Sequence, residues 1–167
     1  FPKGTIFLVI VDPGVGSTRR PIVVEAGGYT FVAPDNGVLS YMLVELISIS
    51  DVQAFNLAHP TYRLQNISNT FHGRDVFAPA AAHVASGKVE LSSFGAKLEI
   101  DELHYLPQLH LVITEQRLTG EVVHIDHFGN IITSIAPLRW IDAETLLLDE
   151  KHPISTKNVT LFLGELT

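Results

Sequence analysis

The sequence predicts an α/β domain followed by the start of an all-β domain, and three observations carry that expectation. Thr5 to Val11 (TIFLVIV) is a continuous apolar, β-branched run. It reads as a strand buried on both faces, as in a mostly parallel sheet flanked by helices. Strand-like and helix-like segments then alternate to Gly87, and an irregular stretch follows to about residue 115. From Gly120 onward only short strand-like runs occur, separated by turn residues.

The elements follow in order. Asp12-Pro13-Gly14 ends the first strand. Ile22 to Glu25 and Tyr29 to Val32 read as two strands joined at Gly27-Gly28. Asp35-Asn36-Gly37 is a turn and helix start, and Val38 to Ile47 carries Leu39, Met42, Leu43 and Leu46 on one helical stripe. Val52 to Leu57 is a further strand. Asp75 to Ala85 is Ala-rich and helical, with Asp75 favourable at the positive end of the helix dipole, Gly87 as its stop and Pro79 about one turn in. Glu90 to Gln116 reads as irregular. The later strands fall at Glu121 to Ile125, Ile131 to Ile135, Thr145 to Leu148 and Val159 to Leu163. These readings divide the chain into an α/β domain over 1–115 and an all-β domain over 116–167. The chain opens at Phe1, without Met, in a strand-like run and closes just after another. The first domain is therefore expected to be incomplete at its N-terminus and the second at its C-terminus.

Composition narrows the function classes. The 167 residues are 46% hydrophobic and 17% charged, which is a folded protein rather than a disordered one. A net charge of −7, with no basic cluster beyond Arg19-Arg20, argues against a nucleic-acid surface. Without cysteine there is no disulfide and no thiolate chemistry, which permits a reducing cytosol. No apolar stretch is long enough to span a bilayer, and no signal peptide is visible, so no membrane partner is expected.

Three polar, Gly-marked blocks interrupt the apolar runs: VDPGVGSTRR (Val11 to Arg20), TFHGRD (Thr70 to Asp75) and DHFGN (Asp126 to Asn130). Asp12 stands where a strand ends, the place where open α/β sheets hold ligands. Alone, that block reads rather as a tight turn whose Asp accepts local N–H bonds. Histidine is the side chain whose ordinary charge change falls near neutral pH, so His72 suits a base or a donor in a pocket wall. Arg74 and Asp75 read as a structural pair. Asp126 and Asn130 flank a Gly turn that suits ligand recognition as readily as plain turn formation. His124 and Asp126 alternate away from His127, and no second cluster completes a coordination shell, so no metal is expected.

In this order, the strand into VDPGVGSTRR, then APDNG (Ala33 to Gly37), NTFHGRDVFAPAAA (Asn69 to Ala82) and IDHFGN (Ile125 to Asn130) resemble the S-adenosylmethionine hydroxide adenosyltransferases. These adenosine-forming S-adenosylmethionine hydrolases are the water-using relatives of fluorinase and chlorinase. The resemblance implies an N-terminal α/β domain and a C-terminal β-barrel-like domain. It also implies a homotrimer, with S-adenosylmethionine held between the N-domain of one subunit and the C-domain of the next; a cytoplasmic location is expected alongside it. No cofactor is implied, because S-adenosylmethionine is the substrate.

The site residues implied by the resemblance are Asp12, Arg19 and His72 as the catalytic set that orients and activates water. Thr70 and Phe71 would line the substrate pocket, and Asp126 and Asn130 would hold the methionine end. Gly73 stands where fluorinase has a halide-contacting Ser, and His72 where it has Tyr, so the water-using branch is expected over the halogenating one. A chloride-using transferase and a non-catalytic binding protein are the competing readings. Thr133-Ser134 departs from the family's Thr-Asn. The family's Asp-Phe-Gly block, with its ribose-holding Asp, and its further adenine contacts lie outside this chain.

Overall fold

The computed structural model describes residues 1–114, 117–135, 138–148 and 152–155. The chain divides into two units, Phe1–Leu106 and Pro107–Thr167.

The first unit is built on a five-stranded sheet: β1 (Ile6–Leu8), β2 (Pro21–Ala26), β3 (Tyr29–Pro34), β4 (Val52–Asn56) and β5 (Lys97–Leu98), in the order β1-β3-β2-β4-β5. Gly27 and Gly28, at φ +58° and +78°, make the two-residue turn that joins β2 to β3, a geometry that suits the twist of a hairpin. Helix α1 (Ser40–Ile47) connects β3 to β4, and helix α2 (Ala78–Ala85) follows later. Side chains alternate along each strand, so the sheet has two cores. Ile22, Val24, Ala26, Phe31, Ala33 and Ala54 pack with Leu39 and Leu43 on the α1 side. Val23, Val32 and Phe55 pack with Phe77, Ala80 and Phe94 on the α2 side. Each fully buried large apolar side chain contributes about 1.5–3 kcal/mol, so these two layers hold the unit together.

The expected mostly parallel sheet is corrected to a mixed one. Only β1–β3 is parallel; β2–β3, β2–β4 and β4–β5 are antiparallel. β1, β3 and β4 do run the same way, with α1 as a crossover. The glycine hairpin, however, folds β2 back between β3 and β4, and a reversed strand turns both of its pairings antiparallel. The first strand is also shorter and more open than its apolar run suggests. It covers Ile6–Leu8 at the sheet edge, and Leu8, Ile10 and Val11 are exposed.

Within Glu90 to Gln116, read as irregular, lie two 3₁₀ turns (Leu91–Phe94 and Ile100–Glu102), β5 and the next strand. The second unit contains the hairpins β6 (Leu111–Ile113)–β7 (Leu118–Gly120) and β8 (Val122–Ile125)–β9 (Ile131–Thr133). It also contains an antiparallel sheet of β10 (Leu138–Trp140), β11 (Thr145–Leu148) and β12 (His152–Ser155). Its strands at β8, β9 and β11 match runs read from the sequence; the run Val159 to Leu163 lies outside the described residues. Among the described residues no helix is long and apolar enough to cross a membrane.

Candidate functional site

Parallel β1 and β3 end on the same side of the sheet, so the loops after them are neighbours. Asn36 joins them: its amide donates to the Val11 carbonyl at 2.9 Å, and its Oδ1 accepts the Val38 N–H at 3.1 Å. The turn before α1 thereby fixes the chain immediately ahead of Asp12. Asp35 does the same for the far end of that loop. Its carboxylate accepts Arg20 Nε at 2.8 Å and the His104 amide at 2.7 Å, while Arg20 also donates to the Glu102 carbonyl at 2.6 Å.

Gly16 brings the second block in. It sits at φ +79°, and a Cβ there would lie 2.6 Å from the Asn69 carbonyl oxygen. Glycine is thus required both for the backbone angle and for the close approach of the two loops. Gly73 is also crowded: a Cβ would lie 3.1 Å from Ile10 Cγ2, so the second block packs directly on the segment that follows β1.

These contacts assemble the three expected catalytic residues. Arg19 Nε donates to both Asp12 oxygens, at 2.8 and 3.0 Å, and Nη2 also bonds Asp12 Oδ2. Arg19 Nη2 meets His72 Nδ1 at 2.7 Å. The pair is well buried, with Arg19 and Asp12 side chains 8% and 5% exposed, and the guanidinium lies 5.3 Å from the centroid of the buried Phe77 ring. A guanidinium has five donors and no acceptor, so Nδ1 of His72 must be the acceptor. The neutral imidazole then carries its proton on Nε2. Arg19 thereby fixes one histidine tautomer, with Nε2–H as a donor and Nδ1 engaged.

His72 opens an unusual helix start. Gly73–Phe77 form a π turn that runs into α2, with the Ala78 N–H bonding the Gly73 carbonyl. Pro79 explains it. It has no N–H for the Asp75 carbonyl four residues back, and its ring crowds that carbonyl in a regular helix. The turn widens, and the Asp75 carbonyl accepts the Leu64 N–H at 2.8 Å instead. Asp75 is buried in the first turn of this segment, and its carboxylate is held by Arg74 and the Ser68 amide, so the pairing read from the sequence is present. Arg74 foremost, then Ser68, hold the Asp75 carboxyl below the usual aspartate range. Thr70 bonds only locally, to Ser68, and Phe71 is 58% exposed.

Asp126 and Asn130 belong to the second unit and meet each other in the β8–β9 turn. Asp126 Oδ1 accepts the Phe128 and Asn130 N–H groups at 2.9 and 2.8 Å, and Oδ2 accepts Asn130 Nδ2 at 2.8 Å. These bonds, the Asn130 side chain first, hold the Asp126 carboxyl below its ordinary value. Asn36, Ser68 and Phe77 are site-building residues that motif reading did not assign. Only the Asp35-Asn36-Gly37 turn signal points to one of them.

A family profile described as the SAM hydroxide adenosyltransferase N-terminal domain matches residues 1–95. An (R)-S-adenosyl-L-methionine hydrolase of Thermus thermophilus is 40% identical over 141 residues, covering 80% of this chain and 52% of that protein. A fluorinase of Actinopolyspora mzabensis is 31% identical, covering 81% of this chain and 52% of its own length. A solved structure of an uncharacterized conserved protein from Thermotoga maritima superposes with a TM-score of 0.65 at 39% identity, covering 81% of this chain and 50% of that one. The chain spans about half the length of the curated relatives it matches.

Proposed function

This chain belongs to the SAM hydroxide adenosyltransferase family, and from that premise we propose that the protein hydrolyses S-adenosyl-L-methionine to adenosine and L-methionine. The observation that carries the reading is the bonded Asp12–Arg19–His72 set, drawn from two separate sequence blocks. A sulfonium is already a good leaving group, so the site must supply an oriented, partly desolvated nucleophile in line with the C5′–S bond. The oxygen of water bonds C5′, the C5′–S electron pair goes to sulfur as methionine's thioether, and the water gives up a proton.

Each residue has a part. Arg19 spends Nε and Nη2 on Asp12 and His72; its two Nη1 protons bond no acceptor among the described residues and are available to steady the nucleophile's oxygen. Asp12 is the anionic acceptor for the proton. His72, with Nδ1 engaged, offers Nε2–H as an orienting donor. Thr70, Phe71 and Gly73 would line the pocket beside it, and Asp126 and Asn130 would hold the amino and carboxylate groups of the methionine end. On the same reading the protein needs no cofactor and works as a cytoplasmic homotrimer with sites at subunit interfaces, its second unit completing a β-barrel-like domain.

The test is incubation of the full-length protein with S-adenosylmethionine in oxygen-18 water, with and without chloride, followed by mass spectrometry of the nucleoside. Labelled adenosine, lost in His72→Ala, is the expected result. A 5′-chloro nucleoside would move the protein to the halide-using branch to which the fluorinase match points. Saturable binding without turnover would overturn the mechanism and leave a binding protein.

A further inference from the structure

Among the described residues no hydrogen bond joins Arg74 or Asp75 to the Asp12–Arg19–His72 set, yet they hold the loop that carries its histidine. A fully buried carboxylate is costly unless its oxygens are satisfied, and here they are. Oδ1 accepts Arg74 Nε at 2.6 Å, and Oδ2 accepts the Ser68 amide at 2.7 Å and Arg74 Nη2 at 3.2 Å. The Asp75 N–H donates to the Phe71 carbonyl at 2.9 Å, so the same residue ties both sides of the 68–71 loop. Arg74 itself is 64% exposed, where an ordinary surface ion pair would be worth little. This one is bidentate, on an anion that cannot move, and the planar fork gives the guanidinium a fixed orientation. Its Cζ lies 5.0 Å from the centroid of the Phe71 ring. Phe71 belongs to neither hydrophobic core, so little besides the cation orients the ring.

We propose that Arg74 is a positioning residue for substrate: clamped on Asp75, it backs one face of the Phe71 ring and holds the other face open to the ligand. The proposal rests on the reading of Phe71 as a pocket residue. It fits the long, exposed Arg74 being seated on a carboxylate that the catalytic set does not use.

The experiment measures kcat, KM and calorimetric Kd for S-adenosylmethionine in full-length wild type, Arg74→Met, Arg74→Lys, Phe71→Ala and the Arg74→Met/Phe71→Ala double variant. Methionine keeps aliphatic bulk and removes the planar cation. Arg74→Met is expected to raise KM and Kd about five- to tenfold with kcat within about twofold of wild type. Lysine is expected to restore at most part of the loss, because it cannot grip Asp75 with two parallel bonds. In the Phe71→Ala background the Arg74→Met change should have no further effect, because the arginine acts through the ring. Unchanged KM and Kd in Arg74→Met would overturn the proposal, as would losses that simply multiply in the double variant. A fall in melting temperature with KM intact would make the pair structural and overturn it too. Wild-type protein that neither binds nor turns over S-adenosylmethionine would instead overturn the functional reading, and the proposal with it.

Discussion

A hydrogen bond between two side chains decides what His72 can do. Because Arg19 has only donors, Nδ1 is spent as an acceptor and Nε2 keeps the proton. A base at Nε2 would need the other tautomer, which Arg19 opposes. Asparagine places an acceptor oxygen near the position of Nδ1, whereas glutamine reaches toward Nε2. His72→Gln, whose amide N–H can stand in for the Nε2–H donor, is therefore expected to retain about tenfold more turnover than His72→Asn in steady-state assays; the reverse order would show that the Nδ1 contact with Arg19, not the Nε2–H donor, carries the catalytic role. Arg19 calls for care, because its removal leaves the buried Asp12 carboxylate unpaired, a loss of about 3–5 kcal/mol. Arg19→Lys keeps the charge and is the variant to assay beside Arg19→Ala, with melting temperature as the control. Gly73 is constrained by space. A serine there would press its Cβ into Ile10, so Gly73→Ser is expected to cost about 1–3 kcal/mol by denaturant titration. Most of that loss should return in an Ile10→Ala background. Equal losses in both backgrounds would mean that Ile10 is not what excludes a side chain at 73.

At the scale of elements, the π turn is where local chemistry and the site meet. Pro79 removes the N–H that a regular helix would aim at the Asp75 carbonyl, and Leu64 takes that carbonyl instead. Proline inside a helix ordinarily costs about 3 kcal/mol relative to alanine, so Pro79→Ala should hold or raise the melting temperature. It should also let Gly73–Phe77 tighten to regular α geometry, carrying Phe77 away from Arg19 and loosening the 68–71 loop. The expected result is lower turnover with undiminished stability, read from kcat and calorimetric melting on the same variant. Activity and stability falling together would mean that the widened turn is incidental. The proline was visible in the sequence, but its consequence was not, because the alternative donor Leu64 comes from a separate loop segment. The same division holds elsewhere. The Gly27-Gly28 hairpin and the α1 stripe were legible because turn and helix signals are local. The direction of β2 in the sheet was not, since strand pairing is a non-local choice. Asp12, Arg19 and His72 were legible as a set only through their blocks. Asp35 holding Arg20, Asn36 holding Val11 and Phe77 beneath Arg19 were invisible because each joins residues far apart in sequence.

At the scale of the molecule, the two units carry their acid sensitivity in different carboxylates, and different probes see them. Asp75 lies in the first unit and Asp126 in the second; both are held below the ordinary aspartate range by hydrogen bonds present only in the folded chain. A depressed folded value means that the unfolded chain takes up the proton first as pH falls. The stabilisation is therefore complete above the unfolded value of about 3.9, and is lost progressively as pH drops from there through the folded value. Trp140, the only tryptophan of the chain, lies in β10 of the second unit, while α1 and α2 both lie in the first. Tryptophan fluorescence thus follows the second unit, and far-ultraviolet helical dichroism the first. Urea titrations at pH 7 and pH 3 should show wild type losing stability in both signals. Asp126→Asn is expected to lower the fluorescence midpoint at pH 7 and to shrink its shift on acidification, because asparagine has no proton to gain, while the dichroism midpoint keeps its full shift. Asp75→Asn should do the converse. If either substitution flattens both signals equally, the units unfold as one cooperative body, and the acid response belongs to the whole chain rather than to its separate halves.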